Sequence, residues 1–388
     1  MDFQLAAAII FFILMAIFLV VKRRNIQIQK ILFPILYFAM YRTKLGLKAM
    51  DRFAKKYRSF LHVLSYVSVA IGFLGMLVIV FSLVHNLWKI ITVEDAVSGV
   101  ALVLPFKVKG GFYVPFFYWI VSIFIIAVVH EFSHGIYARF HGMEIKSSGF
   151  AFLNIIVPVL PAAFVEPDEE QLQKASRKKQ LDVYSAGPFS NVLFGFLFLG
   201  LLLLFSGPVS DSVLELSGVE VTAVTSDEPA ETAGMREGMI ITGVGEKEVV
   251  TVMDFIDALN TTEPGDNIRI HTEGNSYDVE LAQNPEDENK SLLGVAVGQN
   301  SDISSDFFGG KILGMLILWL MGLLYWLFIL NVGIGLFNLA PLGPIDGGRM
   351  LLVTLEKYFS KERARMIWKN VSFAFLLLII VNIAASFI

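Results

Sequence analysis

The run His130-Glu131-Phe132-Ser133-His134 is an H-E-x-x-H pattern. On a helix, positions i and i+4 share one face about 6 Å apart along the axis, so two imidazoles can grip one metal ion. The Glu between them is then placed to take a proton from water at that ion. A catalytic zinc uses three protein ligands and keeps one position open. The 388-residue chain has no Cys, which removes thiolate ligands, iron–sulfur clusters, disulfides and thiol nucleophiles. Any third ligand is therefore His, Asp or Glu. Ten residues after His130 stands Phe140; His141 lies one further on, faces another direction, and reads as a solvated or interfacial histidine. Glu166, Glu169 and Glu170 sit in a proline-broken stretch beside a basic loop. Asp346 remains, in Asn338-Leu339-Ala340-Pro341-Leu342-Gly343-Pro344-Ile345-Asp346-Gly347-Gly348. Pro341, Gly343 and Pro344 unwind the chain there, and such a break at membrane depth must be buried in protein or line a cavity. On that stretch alone Asp346 reads either as an ion ligand or as a turn aspartate before a glycine pair.

The elements that must hold these residues are membrane helices. Hydrophobic residues make up 55% of the chain and charged residues only 17%, against about 25% charged in an ordinary soluble domain. A disordered chain and a fully soluble one are both excluded. A bilayer core needs roughly 20 apolar residues of helix. Six runs approach that length: Phe3–Val21, Leu61–Val84, Val114–Tyr137, Tyr184–Phe205, Ile312–Leu336 and Val371–Phe387. The first has Asp2 before it and its basic residues after it, so it reads as a retained anchor rather than a cleaved signal. Ile31–Tyr41 is too short to span, contains Pro34, and reads as interfacial or re-entrant. The H-E-x-x-H run continues the third apolar run, and ionisable groups at membrane depth are functional by default.

Charge fixes the expected orientation. Residues 207–308 hold 21 Asp and Glu against 4 Lys and Arg, a local charge of −17, which leaves +13 for the rest of the chain. The basic loops, with Lys22–Arg24 and Arg52–Arg58, Arg139–Lys179, and Arg349–Arg365, then fall on the cytoplasmic side by the positive-inside rule. The acidic segment falls outside. Within 209–300 short β-rich runs (Val219–Val224, Met239–Val244, Asn267–Thr272, Tyr277–Leu281) alternate with Gly and Pro. Thr251–Asn260 reads as a helix capped by Thr251, with Asp254 three residues on and Val252, Phe255, Ile256 and Leu259 on one face. About 90 residues suffice for a core of its own.

Together, His130-Glu131-x-x-His134 in one membrane helix and the N-x-x-P-x-x-P-[LI]-D-G-G run from Asn338 to Gly348 in a later one resemble the site-2 protease family of intramembrane zinc metalloproteases. The resemblance covers about 110–350. It implies that His130, His134 and Asp346 ligate one zinc ion and that Glu131 is the general base. Ala186-Gly187-Pro188-Phe189-Ser190-Asn191 matches the family's A-G-P-x-x-N element, which gives Asn191 a role in holding the substrate carbonyl or oxyanion. Read without the family, Asn191 is a polar residue on an apolar helix that needs a partner inside the bundle. Glu228–Ile241 with Val244-Gly245 resembles the PDZ domain of prokaryotic members, a fold that binds peptides by adding a strand to a sheet edge; a rigid spacer or steric filter is the competing reading. Ser147–Glu170, broken by Gly149, Pro158, Pro161 and Pro167, looks like membrane-associated strands, which in the family lie beside the active site. Asp168, Glu169 and Glu170 could equally start a helix. Val97–Tyr113 is a second Gly-punctuated stretch of this kind.

The expected fold is thus a polytopic α-helical membrane protein of about six spans with a soluble α+β PDZ-like domain between the fourth and fifth. The expected regions are 1–110 (two spans and a basic loop), 111–206 (first part of the protease core), 209–300 (extracytoplasmic PDZ-like domain), 310–350 (second part of the core) and 351–388 (the last span). The implied partners are a transmembrane protein substrate, membrane lipid, and a peptide or protein tail at the PDZ-like domain, with no nucleic acid. A non-proteolytic zinc-binding scaffold or transporter is the alternative. A transporter should carry His, Asp or Glu on several spans, whereas spans one and six have none in their cores.

Overall fold

The computed structural model describes residues 3–32, 36–93, 101–108, 111–155, 157–285 and 287–385. In chain order the elements are α1 (Phe3–Val21), β1 (Ile26–Leu32), β2 (Leu36–Thr43), α2 (Leu47–Lys56), α3 (Arg58–Thr92), β3 (Leu102–Leu104), β4 (Gly111–Tyr113), α4 (Phe116–Phe140), β5 (Ile145–Ile155), β6 (Val157–Pro167), α5 (Glu169–Lys174) and α6 (Arg177–Val213). Then follow β7 (Leu214–Val224), α7 (Pro229–Thr232), β8 (Ile240–Val244), β9 (Lys247–Glu248), α8 (Val252–Leu259), β10 (Asn267–Thr272), β11 (Ser276–Glu280), β12 (Ala282–Asn284), β13 (Asp287–Leu292) and β14 (Val295–Ile303). The chain ends with α9 (Gly310–Asn338), α10 (Asp346–Tyr358) and α11 (Lys361–Ala385). Two compact units result, one of Met1–Leu202 with Gly322–Ile388 and one of Leu203–Met321.

Among the described residues, α1, α3, α4, α6, α9 and α11 are long and apolar enough to cross a membrane, and each overlaps one of the six apolar runs. In the first unit, small residues let these helices approach. A β-carbon on Gly135 of α4 would stand 2.5 Å from Met50 Sδ of α2, and one on Gly75 of α3 would stand 2.4 Å from Leu339 at the end of α9. The buried cluster around these contacts, with Met50, Ile136, Tyr137, Val183, Leu339 and Met350, surrounds the H-E-x-x-H turn of α4.

The same unit holds a four-stranded antiparallel sheet in the order β1-β2-β5-β6. The run 31–41, expected to be interfacial or re-entrant, falls within the hairpin of β1 and β2, with Ile26 opposite Tyr41 and Gln29 opposite Phe38, while 33–35 lie outside the described residues. The alternation Ile26-Gln27-Ile28-Gln29 has the two-residue period of a strand, which outweighs the local apolar content. The segment 147–167 forms strands as expected; β5 pairs β2 with Arg42 opposite Gly149, and β6 pairs β5 with Val165 opposite Ser148. Asp168 caps α5 by accepting the Gln171 N–H. Of the stretch 97–113, residues 102–104 and 111–113 pair as the parallel strands β3 and β4, while 97–100, 109 and 110 lie outside the described residues.

The second unit is built on the sheet β11-β10-β8-β7-β14, with β9 paired to β8. Its core gathers Val219, Val221, Ile241, Phe255, Ile270 and Val279. Thr251 and Asp254 form a reciprocal capping box at the start of α8. The buried face of α8 is Phe255 and Ala258, with Val252 and Leu259 at its edges. Ile256, expected on that face, is instead 45% exposed, because the helix turns its Phe255–Ala258 row to the sheet.

Candidate metal centre

His130 and His134 lie one turn apart on α4, with ring centroids 4.7 Å apart and their planes at 76°. Their Nε2 atoms face one another at 3.0 Å. Asp346, the first residue of α10, sets its Oδ2 3.0 Å from His130 Nε2 and 3.3 Å from His134 Nε2. The interruption between α9 and α10 delivers it. Gly347 and Gly348 permit that turn, since β-carbons there would stand 2.1 Å from the Leu339 carbonyl oxygen and 2.3 Å from that of Leu342. Two residues 216 apart in sequence thus meet at one point, and Asp346 is both the start of a helix and a member of the cluster.

Each histidine is oriented from behind. His134 Nδ1–H donates to the Val183 carbonyl of α6 at 2.7 Å, leaving Nε2 as the ring's free donor atom for a metal. His130 Nδ1 lies 3.1 Å from the side-chain amide nitrogen of Asn191, also on α6. Asn191 is fully buried, and its Oδ1 has no hydrogen-bond partner. With the amide turned over, Oδ1 would accept from Nδ1–H of a His130 whose Nε2 binds a metal, and the NH2 would take the buried place where Oδ1 now has no partner.

The residues present suit a zinc ion. Three donor atoms 3.0 to 3.3 Å apart match one face of a tetrahedron around an ion about 2.0–2.1 Å from each. Gly187 closes the other side. A β-carbon there would stand 2.4 Å from His134 Nε2 and 2.6 Å from His130 Nε2, so glycine alone leaves the cradle open. Among the described residues this is the one group of three His, Asp or Glu side chains whose ligand atoms converge.

Glu131 is outside that group but beside it. Its Oε2 accepts the backbone N–H of Val165 on the edge strand β6 at 3.0 Å, which pins the carboxylate at the wall of a cavity of about 540 Å³. His130, His134, Asp346 and Asn338 line the same cavity. At its rim Arg42 pairs with Glu166 at 3.0 Å and Lys146 with Asp168 at 3.1 Å. The Gln171 amide, and then Lys146, hold the Asp168 carboxyl below the usual carboxylate range.

Of the two alternatives for His141, solvated or interfacial, the structure removes the solvated one. Its side chain is 11% exposed and its Nε2 lies 2.9 Å from Asp182 Oδ2, because α6 brings a buried carboxylate to the end of α4. Two contributors, the Val165 N–H and the Val183 carbonyl, carried no signal in the sequence. Gly187 stood there within the Ala186–Asn191 element, without a role of its own.

The profile of peptidase family M50 matches residues 118–379. The chain belongs to this family. M50 is the site-2 protease family, so the chain is a membrane metalloprotease by descent, and the apolar helices among its described residues fit a multi-pass protein. An uncharacterized protein of Methanocaldococcus jannaschii is 28% identical over 318 residues, covering 80% of this chain and 75% of that protein. A putative zinc metalloprotease of Streptococcus pneumoniae is 25% identical over 262 residues, covering 57% of this chain and 61% of the relative's length. Among solved structures, the PDZ domain of an SdrC-like protein from Listeria monocytogenes matches 21% of this chain and 90% of its own, at 22% identity and a TM-score of 0.20.

Proposed function

We propose that this M50 member is an intramembrane zinc endopeptidase that hydrolyses peptide bonds within or near transmembrane helices of membrane-anchored substrates. One observation carries the reading: His130, His134 and Asp346 converge on one point while Glu131, held by the Val165 N–H, stands free of them at the same cavity. One zinc ion, held by these three residues, would supply Lewis acidity toward water and the scissile carbonyl.

The chain's own groups supply the remainder. Glu131 Oε1, which makes no hydrogen bond among the described residues, takes the proton of the attacking water and passes it to the leaving amine. The Val165 N–H keeps the carboxylate aimed while it does so. Asn191 and Val183 fix the two imidazoles, so Asn191 acts in this arrangement through His130. A helical substrate has its carbonyls occupied by its own hydrogen bonds and must unwind first. An extended segment can then lie along the edge strand β6, as peptides do at sheet edges. Basic loops favour a cytoplasmic side for the metal centre and an exterior location for the acidic insert. There the insert, read as PDZ-like, screens membrane substrates or their tails. The scaffold or transporter reading has less support, since relaying ions would require further intramembrane ligand groups.

The test is cleavage of a membrane-embedded reporter in detergent by wild type and Glu131→Gln, with zinc content measured on both. Cleavage by wild type alone, with equal zinc, is expected. Retained cleavage by Glu131→Gln would sink the role of Glu131, and absence of zinc from the wild type would sink the whole reading.

A further inference from the structure

A second cavity, of about 440 Å³, adjoins the metal cavity. The two share Glu169, Tyr184, Pro344 and Arg349 in their walls. Arg349 follows Asp346 by three residues, one turn along α10, and its guanidinium carbon lies 5.6 Å from the centroid of the Tyr184 ring. The partition between the cavities is therefore a cation resting near an aromatic face. Beyond it, α11 contributes Lys361, Arg365 and Trp368 to the second cavity. Their spacing of four and then three places them on one face of that helix.

Charge separates the two cavities. The other basic residues of the first, Arg42 and Lys146, are each neutralised by a carboxylate. Arg349, Lys361 and Arg365 form no ion pair among the described residues. Glu169 and Glu356 also line the second cavity, so its lining carries one net positive charge. That balance suits a single carboxylate better than a polyanion, and a guanidinium can hold a carboxylate with two parallel hydrogen bonds.

We propose that the second cavity is a substrate subsite for an acidic side chain near the scissile bond, with Arg349, Lys361 and Arg365 as its specificity-determining residues. This rests on the protease reading above. A chain cut at the metal must leave the first cavity, and Arg349 stands where that cavity meets the second. An Asp or Glu carried past it meets three cations on two helices against two carboxylates, Glu169 and Glu356, which likewise form no ion pair among the described residues, so the balance of one positive charge favours it over a Lys.

The experiment uses the full-length protein and membrane-embedded reporters in which one Asp, Asn or Lys is moved through the positions flanking the scissile bond. Wild type is expected to prefer Asp over Asn in kcat/KM by about fivefold at one position, and to disfavour Lys there, as one partly exposed charge pair allows. Arg349→Glu and Arg365→Glu should abolish or invert that order at that position. Binding of the same reporters to Glu131→Gln should follow the same order, which separates recognition from turnover. Cleavage within twofold for all three residues at every position overturns the subsite, as does a preference for Asp that survives both charge reversals. Failure of wild type to cut any reporter removes the protease reading and the subsite with it.

Discussion

Gly187 faces His134 so closely that a β-carbon on it would stand 2.4 Å from the imidazole Nε2, the atom that also lies 3.3 Å from Asp346. The backbone of α6 is thus part of the wall around the donor atoms, and a methyl group at that point competes with a metal for space. Gly187→Ala should lower bound zinc from about one per chain to near zero while helix content stays at the wild-type level. Gly200, on the same helix with nothing within 4 Å of its β-carbon position, provides the control. Gly200→Ala should keep its zinc. Metal analysis with circular dichroism on both variants checks this, and a Gly187→Ala protein that retains full zinc would refute the placement.

Asn191 is the partner that orders the His130 ring. Removing such a support from a metal ligand typically costs ten- to a hundredfold in metal affinity. Asn191→Ala should therefore weaken zinc binding by about that factor in a chelator competition. Asn191→Asp keeps an acceptor for Nδ1–H and should recover most of the loss. Equal weakening by both variants would point to packing as the role of Asn191.

The sequence made the chemistry more legible than the path to it. His130, Glu131 and His134 are local, so one helical turn brings them together, and that turn was readable from spacing. Asp346 lies 216 residues from His130, and no periodicity links the two; only the paired motifs did. The hairpin of β1 and β2 was hidden for another reason. A search for apolar runs long enough to span a bilayer passes over Ile26-Gln27-Ile28-Gln29, whose period of two is the signal. The Val165 N–H and the Val183 carbonyl are backbone groups, which residue types cannot announce. The partner of His141 was not legible because its carboxylate, Asp182, is 41 residues away on α6.

Asp182 itself is a buried charge outside the metal cluster. It receives Lys178, one turn earlier on α6, as well as His141, and Lys178 Nζ also donates to Ser65 on α3 at 2.9 Å. Breaking a buried pair by removing one partner leaves the others uncompensated, at a cost of about 3–5 kcal/mol. Asp182→Ala should therefore lower the midpoint of thermal unfolding in detergent substantially. Asp182→Asn, which keeps acceptor capacity, should lower it less. Equal midpoints for Asp182→Ala and wild type would show that the network adds nothing to stability.

In the second unit, the capping box of α8 predicts a pH response with a definite sign. The Thr251 backbone N–H, and then the Thr251 side chain, hold the Asp254 carboxyl below its ordinary value. A group whose pKa is depressed by folding stabilises the fold above its unfolded pKa, about 3.9 for Asp. That contribution fades as pH falls through the lower folded value. The first turn of α8 should accordingly lose amide protection below about pH 4, measured by hydrogen exchange as protection factors corrected for intrinsic rate. Asp254→Asn should flatten this dependence, because the neutral amide accepts the same N–H at every pH. Thr251→Ala should cost about 1 kcal/mol through loss of the reciprocal bond to the Asp254 N–H. A wild-type profile as flat as that of Asp254→Asn would mean that the charge on Asp254 contributes nothing to the start of this helix.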